Sequence, residues 1–445
     1  MVSLTDLTGP TRAPSNLSLV VALPTGPAKF AERTLWSSAL RALRLLLVPF
    51  ACAIHVAACT ALMPRNAPPE MAAAGVEPVG FRDVRYWGDE PAPRAADASV
   101  QRASAEIPVS RPLNFLAISG GAENGAFGSG LLVGWGEAGN RPIFDMVTGV
   151  SSGALIAPFV FLGRERDEQL REIFTTYERK DIFTVNIPGL LQGSALADNS
   201  PLSRLIEKYV DADFLRDVAR ESGKGRVLLI GTTNLDAQRP VLWDMGRIAS
   251  AGTPEAISLF RQVLLASATV PGAFAPVRIK VRIGDKEYDE LHVDGGVTRQ
   301  VFIGPSVLRL VSGRGPRRTV NGAHLFVIRN ARIDPQWDSV GADVLSVTQR
   351  SLSTLIKNQG IGDIYRIYSV AKFNGIDFNL ASIPPDFQAK SDGPFDRSYM
   401  SALFARGHEM GQRGYPWVKN LPGLQSTDQA ITAQIPSRTM AAALR

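Results

Sequence analysis

From Leu113 to about residue 420, apolar residues recur in two alternating rhythms, and that alternation predicts the fold. "LNFLAIS" (113–119), "FDMVTGVS" (144–151), "RVLLIGTTNL" (226–235) and "HLFVIRNARI" (324–333) are short, almost wholly apolar runs. They have the length expected of strands buried on both faces. Helical spacing fills the intervals. "GAFGSGLLVGWGEAG" (125–139) predicts a glycine-rich helix and "SGALIAPFVFLG" (152–163) an apolar one. "RERDEQLREIFTTYERKDIF" (164–183) has charged, amphipathic spacing and predicts a surface helix, and "PLSRLIEKYVDADFLRDVAR" (201–220) predicts another helix. The second opens on "DNSP", a capping residue followed by Pro at the first helical position. "TPEAISLFRQVLLASA" (253–268) predicts a capped helix, and "RIKVRIGDKEYDELHVDGG" (278–296) a hairpin turning at Gly284-Asp285. "SVGADVLSVTQRSLSTLIKN" (339–358) and "FDRSYMSALFARGHEMGQR" (395–413) predict late helices. Strands separated by helices imply an α/β domain, a mostly parallel central sheet covered on both faces in three layers.

Upstream of Leu113 the rhythm dissolves. Residues 63–112 hold eight prolines, many alanines and no sustained period, the composition of an extended tether. Within them the aromatic island "FRDVRYWGDEP" (81–91) has enough to bury to dock on the folded body as an edge piece. Nearer the start, Arg41 and Arg44 precede an apolar run of 14 residues from Leu45 to Ala58. That run is short of the roughly 20 residues that span a bilayer as a helix. A basic flank, a short apolar core and small residues at the end make a secretory signal. Val56-Ala57-Ala58-Cys59 resembles the bacterial lipobox, in which the Cys is acylated and becomes the mature N-terminus. The alternative is a short buried helix with two incidental cysteines. Forty residues precede the basic flank, long for a signal, as a start codon assigned too far upstream would leave them. On this reading residues 1–58 are an extension and signal, 59–112 the tether, 113–420 the α/β domain and 421–445 a loose tail.

Composition narrows the function. With 45% hydrophobic and 20% charged residues, the 445-residue chain is globular with a real core. Its formal net charge is +6, and residues 1–58 supply five Lys/Arg against two Asp/Glu, half of that excess. The rest is too weakly basic for nucleic acid, and no Lys/Arg-rich tract argues for it. The basic stretch "GRGPRR" (313–318) reads as a solvated loop, with contact to anionic lipid headgroups as the other possibility. Cys52 and Cys59 are the only cysteines, so the α/β domain can hold neither a disulfide nor a Cys-based metal site. No metal and no cofactor is expected.

Chemistry concentrates at two glycine bends. Gly149-Val150-Ser151-Ser152-Gly153 matches G-x-S-x-G between a predicted strand and a predicted helix. There the bend lifts Ser151 onto a strained turn with its hydroxyl exposed, and Gly149 and Gly153 avoid collisions with the strand and helix passing on either side. The plain alternative is a tight turn. A nucleophilic Ser needs an oxyanion hole and a base. "SGGAENGAFGSG" (119–130) follows the preceding strand, and Gly120 and Gly121 let backbone N–H groups converge. A dinucleotide loop fails because the G-x-G-x-x-G spacing breaks at Ala122, and a P-loop fails because no Gly-Lys-Ser/Thr is present. For the base, Asp294 in "LHVDGGV" ends an apolar strand, with Gly295 and Gly296 letting the backbone turn beside it; an ordinary Asx turn is the alternative. Of the four histidines, His55 lies in the signal segment, leaving His292, His324 and His408. A triad in α/β-hydrolase order would need His324, which opens an apolar strand, or His408, which lies within a helical pattern.

Taken in order, the glycine loop, "GVSSG", "ASATVPGAFAPV" (266–277) and "VDGG" resemble the patatin-like phospholipase family, as does "TTNLDAQRPVLWDMG", similar to its central strand pair. The resemblance covers roughly residues 113–300 and implies a single three-layer domain of lipid acyl hydrolase type. It implies a Ser-Asp dyad carried by Ser151 and Asp294, with backbone N–H groups of Gly120, Gly121 and Ala122 holding the oxyanion. The family loop is commonly Asp-Gly-Gly-Gly-x-Arg-Gly; here it is Ser119-Gly120-Gly121-Ala122-Glu123-Asn124-Gly125. Ala122 in place of the third Gly should be tolerated if φ is negative there, and Asn124 in place of Arg removes a charge that would favour a phosphate. The substrate implied is a lipid ester, met at a membrane surface to which a lipid on Cys59 would hold the protein in a bacterial envelope. Thr60 after Cys59 gives no inner-membrane retention signal of the Asp type. Two rivals stand beside this reading: a triad esterase on soluble esters, and a catalytically silent lipid-binding envelope protein.

Overall fold

The computed structural model of the chain describes residues 65–70, 76–90, 111–186, 196–304 and 322–421. The signal-like segment with Cys59, the "GRGPRR" stretch and the tail from residue 422 lie outside the described residues.

Within the described residues, each apolar run becomes a strand or a buried helix. The strands are β1 (Glu77–Pro78), β2 (Arg85–Trp87), β3 (Asn114–Ile118), β4 (Met146–Val150), β5 (Thr184–Val185), β6 (Ala197–Asp198), β7 (Val227–Asn234), β8 (Arg239–Asp244), β9 (Val277–Ile283), β10 (Lys286–Asp294), β11 (His324–Arg329) and β12 (Asp377–Ser382). The main sheet runs β1-β9-β10-β7-β4-β3-β11-β12, and β8 pairs with β7 and β2. Its central run β7-β4-β3-β11-β12 is parallel, as strands linked through helices must be. The β9–β10 side is antiparallel and closes on a turn at Gly284, whose φ is 58°. The aromatic island docks as expected, Arg85–Trp87 pairing with β8 and Val84 and Tyr86 buried.

Helices cover both faces. One face carries α1 (Gly125–Glu137), α2 (Ser152–Leu162), α3 (Asp167–Thr176), the single turn α4 (Arg179–Ile182), α5 (Ser200–Tyr209), α6 (Ala212–Gly223), α7 (Met245–Ser250) and α8 (Pro254–Ser267). The other face carries α9 (Val344–Phe373), through Ile364, Ile367 and Tyr368. The last helix, α10 (Arg397–Gln412), returns to the first face and lies along α1. Gly130 and Gly134 of α1 and Gly407 and Gly411 of α10 meet backbone to backbone, which accounts for the glycine-rich character of α1.

Several boundaries differ from the periodicity; the helix expected over 339–358 runs instead from Val344 to Phe373. The helix expected over 164–183 is a 3₁₀ turn (Arg164–Arg166), then α3, a break at Tyr177 and Glu178, then α4; Glu178 and Asp181 form a capping box that starts a new helix. The helix expected over 201–220 breaks at Val210, where the Asp211 side chain accepts from the Phe214 N–H and caps α6. Where "DNSP" predicted a capping side chain, Asn199 makes no such bond, and Asp198 receives the Ser200 N–H instead, at 3.0 Å.

Candidate active site

Sheet register brings the two bends together. β8 occupies one edge of β7 over Leu229–Asn234, so β4 and β10 share the other edge. On that edge Val150, the last residue of β4, pairs with Gly231, and Asp294, the last of β10, pairs with Thr232. Two strand ends therefore meet head to head against consecutive residues of β7. Ser151 and Asp294, 143 positions apart in the chain (294 − 151), become neighbours.

Ser151 sits at φ 55° and ψ −125°, between β4 and α2. A non-glycine residue there costs about 1–3 kcal/mol, held only because its surroundings fix it. The hydroxyl of Ser267 does part of that: it accepts the Ser151 N–H at 3.0 Å and donates to the Gly231 carbonyl at 2.7 Å. A methyl group on Gly149 would overlap the Gly153 carbonyl, and one on Gly153 would overlap the Ile118 carbonyl. The spacing seen in the sequence thus reflects the closeness of strand, turn and helix.

Asp294 is buried, and its backbone N–H donates to the Thr269 carbonyl at 2.8 Å. Its Oδ1 accepts the Gly296 N–H at 2.7 Å, within the turn Gly295–Val297, and the Ser151 side chain lies close enough to favour its ionised form. Burial pushes the carboxyl up to about 6, and the nearby Ser151 hydroxyl and Gly296 N–H pull the other way without cancelling it. No cation is among the groups acting on it, so desolvation sets its basicity.

The glycine loop lies against the serine: a methyl on Gly120 would come within 2.9 Å of the Ser151 Cβ. Its amides divide. Gly120 N–H, expected to face an oxyanion, donates instead to the Gln300 carbonyl at 3.1 Å. The N–H groups of Gly121 and Ala122 have no partner among the described residues. Ala122 does not meet the condition of a negative φ: its φ is +49°, the left-handed region that glycine favours. The turn Ala122–Asn124 follows, and Asn124, at the position of the family Arg, accepts a hydrogen bond from Tyr399 Oη on α10 at 2.7 Å.

Residues that the motifs did not reveal hold this loop in place. Asn330, fully buried just past β11, donates its N–H to Ser119 Oγ at 2.8 Å and its Nδ2 to the Ser119 carbonyl at 2.9 Å. Its Oδ1 accepts the Gly128 N–H at 3.0 Å. Gln300 takes Gly120 on its carbonyl and donates its own N–H to Asp363 Oδ2 on α9, at 2.8 Å. Only a buried polar residue at a strand end, as in "VIRN", could have flagged Asn330.

The histidines lie elsewhere. His324 begins β11, at the edge of the sheet opposite the bends, and faces Asp377 at 3.0 Å. His408 meets Glu137 at the far end of α1, at 2.8 Å. His292 is fully buried between Thr232 and Glu290, each at 3.0 Å, and burial pushes its imidazole down. None of the three bonds to Ser151. Among the described residues no group of His, Cys, Asp and Glu is arranged to hold a metal ion, and no helix is long and apolar enough to cross a membrane.

Residues 116–305 match the family model of patatin-like phospholipases, so the chain carries a patatin-like domain over that range. No curated protein matches the chain. Among solved structures, VipD from Legionella pneumophila is similar over 68% of this chain and 67% of its own, at 11% identity and a TM-score of 0.28, too slight a likeness to argue from.

Proposed function

We propose that this patatin-like domain is a serine acyl hydrolase that cleaves the carboxylic ester bonds of lipids through Ser151 and Asp294. The observation that carries the reading is the register along β7 that sets a serine in a strained turn beside a buried, desolvated carboxylate. Ser151 Oγ attacks the acyl carbonyl as Asp294 takes its proton, forming a tetrahedral intermediate. That proton then leaves with the alcohol, and the acyl group stays on Ser151. Asp294 next takes a proton from water, which attacks the acyl-enzyme, and returns that proton to Ser151 Oγ as the carboxylic acid leaves.

An Asp of ordinary pKa is a poor partner for a hydroxyl; one raised to about 6 is ionised at neutral pH yet more basic. The amides of Gly121 and Ala122 are the ones left free to meet the oxyanion, each such donor worth about 3 kcal/mol in comparable sites. Asn124, committed to Tyr399, offers no charge to a phosphate, which favours ester hydrolysis without a strict demand for a phospholipid headgroup.

The signal-like segment ending at Cys59 supports attachment to a bacterial envelope as a lipoprotein, at the outer membrane or the periplasmic face, which would place the domain beside its substrate. The test offers the full chain phospholipids, lysophospholipids and short-chain esters, with Ser151→Ala as control. Hydrolysis lost in Ser151→Ala is the expected result. A folded protein inactive on every ester would favour the silent lipid-binding rival.

A further inference from the structure

On the face of the sheet opposite α1 and α2, a cavity of about 410 Å³ lies directly behind the two bends. Its wall includes Val150 and Gly295, the chain neighbours of Ser151 and Asp294, but neither of those two residues. Val150, Leu242, Phe302 and Ile367 make the interior apolar, and Arg299 and Arg366 stand where it opens along α9. Arg366 is exposed and has no partner among the described residues, while Arg299 approaches Asp363 only to 3.9 Å. The other acids at the rim, Asp89 and Glu90, are engaged by Arg239. An apolar chamber of this size with cationic donors at its mouth fits a ligand with one apolar tail and one anionic head.

We propose that this cavity binds a single-chain carboxylate, the class of product that ester cleavage at Ser151 would release, with its head at Arg299 and Arg366 and its tail against Val150, Phe302 and Ile367. Identifying the ligand as the product rests on the hydrolase reading; binding of a carboxylate amphiphile does not. The cavity also has a mechanical route to the site. Asp363 in its wall receives the Gln300 N–H, and the Gln300 carbonyl receives the N–H of Gly120, which packs on Ser151. A head group that draws Arg299 away from Asp363 shifts the support of the oxyanion loop, so the occupied protein turns over more slowly.

The test uses the full chain with Ser151→Ala, so that no turnover intrudes, and titrates straight-chain carboxylates of eight to sixteen carbons by calorimetry, with the matching alcohols as controls. Affinity is expected to rise roughly fourfold per added methylene until the cavity is full. The carboxylate should bind at least tenfold more tightly than the alcohol. Arg299→Ala combined with Arg366→Ala should remove that preference, and Val370→Trp, which narrows the cavity from α9, should weaken both ligands. Thermal melts establish that each variant folds. Equal binding of acid and alcohol, binding unchanged in both variants, or binding abolished when Ser151 of the wild type is phosphonylated would overturn the proposal. In active protein, long-chain carboxylate should lower kcat for a short soluble ester with KM unchanged, and the double arginine variant should lose this effect. Carboxylate binding by an inactive wild type would sink the hydrolase reading and leave the site standing.

Discussion

Replacing Asp294 with Asn tests whether the carboxylate is as desolvated as its surroundings make it. Its folded pKa is raised from 3.8 to about 6, a little over two units, so ionising it within the fold costs about 3 kcal/mol relative to the unfolded chain. The sign follows from where protons bind. Between about pH 4 and 6 the folded protein holds a proton that the unfolded chain has released. The favourable contribution is therefore full below about pH 4 and lost as pH rises through about 6. Asn keeps the size of the side chain, can accept the Gly296 N–H and carries no charge. About 1 kcal/mol of the wild-type contribution is already lost by pH 4.5, so the variant should gain on the wild type by about 2 kcal/mol between pH 4.5 and pH 8, while losing most of its activity. Urea unfolding of both proteins at the two pH values measures this. Asp363, also raised to about 6, and Glu290 and Asp377, held down at about 2, act alike in both proteins and cancel in the difference. A difference that is the same at both pH values would refute the argument, because it would mean that Asp294 titrates like a solvated carboxylate.

Hydrolysis of a soluble ester should show kcat/KM rising about tenfold per pH unit below about 6 and level above it, since the base must be ionised; a midpoint near 4 contradicts this. Asn330→Ala removes the two side-chain hydrogen bonds that hold the glycine loop, to the Ser119 carbonyl and from the Gly128 N–H, and should lower kcat on the order of tenfold to a hundredfold with KM little changed, read by steady-state kinetics. Gly153→Ala should destabilise the fold by about 1–3 kcal/mol, or prevent folding, because its methyl meets the Ile118 carbonyl; chemical denaturation reads this. His324→Gln combined with His408→Gln should keep activity within about twofold, these residues lying away from the bends.

The positions of Ser151 and Asp294 are legible because local chemistry marks each one: a glycine-flanked serine after a buried strand, and an aspartate before two glycines. Their meeting depends on register along β7, which no single segment encodes. The division of labour among the loop amides could not be read for the same reason. Gly120 is satisfied by Gln300, 180 positions further on (300 − 120), and Ala122 takes a glycine-like φ because the turn into α1 imposes it. Periodicity ran the surface helices together because Asp211 and Glu178, ordinary charged residues on a helical face, act as caps here. It also passed over β12, whose "DFNLAS" is short, and the second half of α9, where "QGIGDIYRIYSVAKF" continues the helix in spite of two glycines because one face packs on the sheet. Asn330 escaped notice since its partners, Ser119 and Gly128, come from the other end of the domain.

The enzyme reading stands or falls on the reactivity of one hydroxyl. Incubating the folded full chain with a fluorophosphonate and mapping the adduct by peptide mass spectrometry should find a single phosphonylated residue, Ser151. Labelling should weaken below about pH 6 and be absent from Ser151→Ala. Folded protein that takes up no label, or takes it up equally in Ser151→Ala, would contradict the reading.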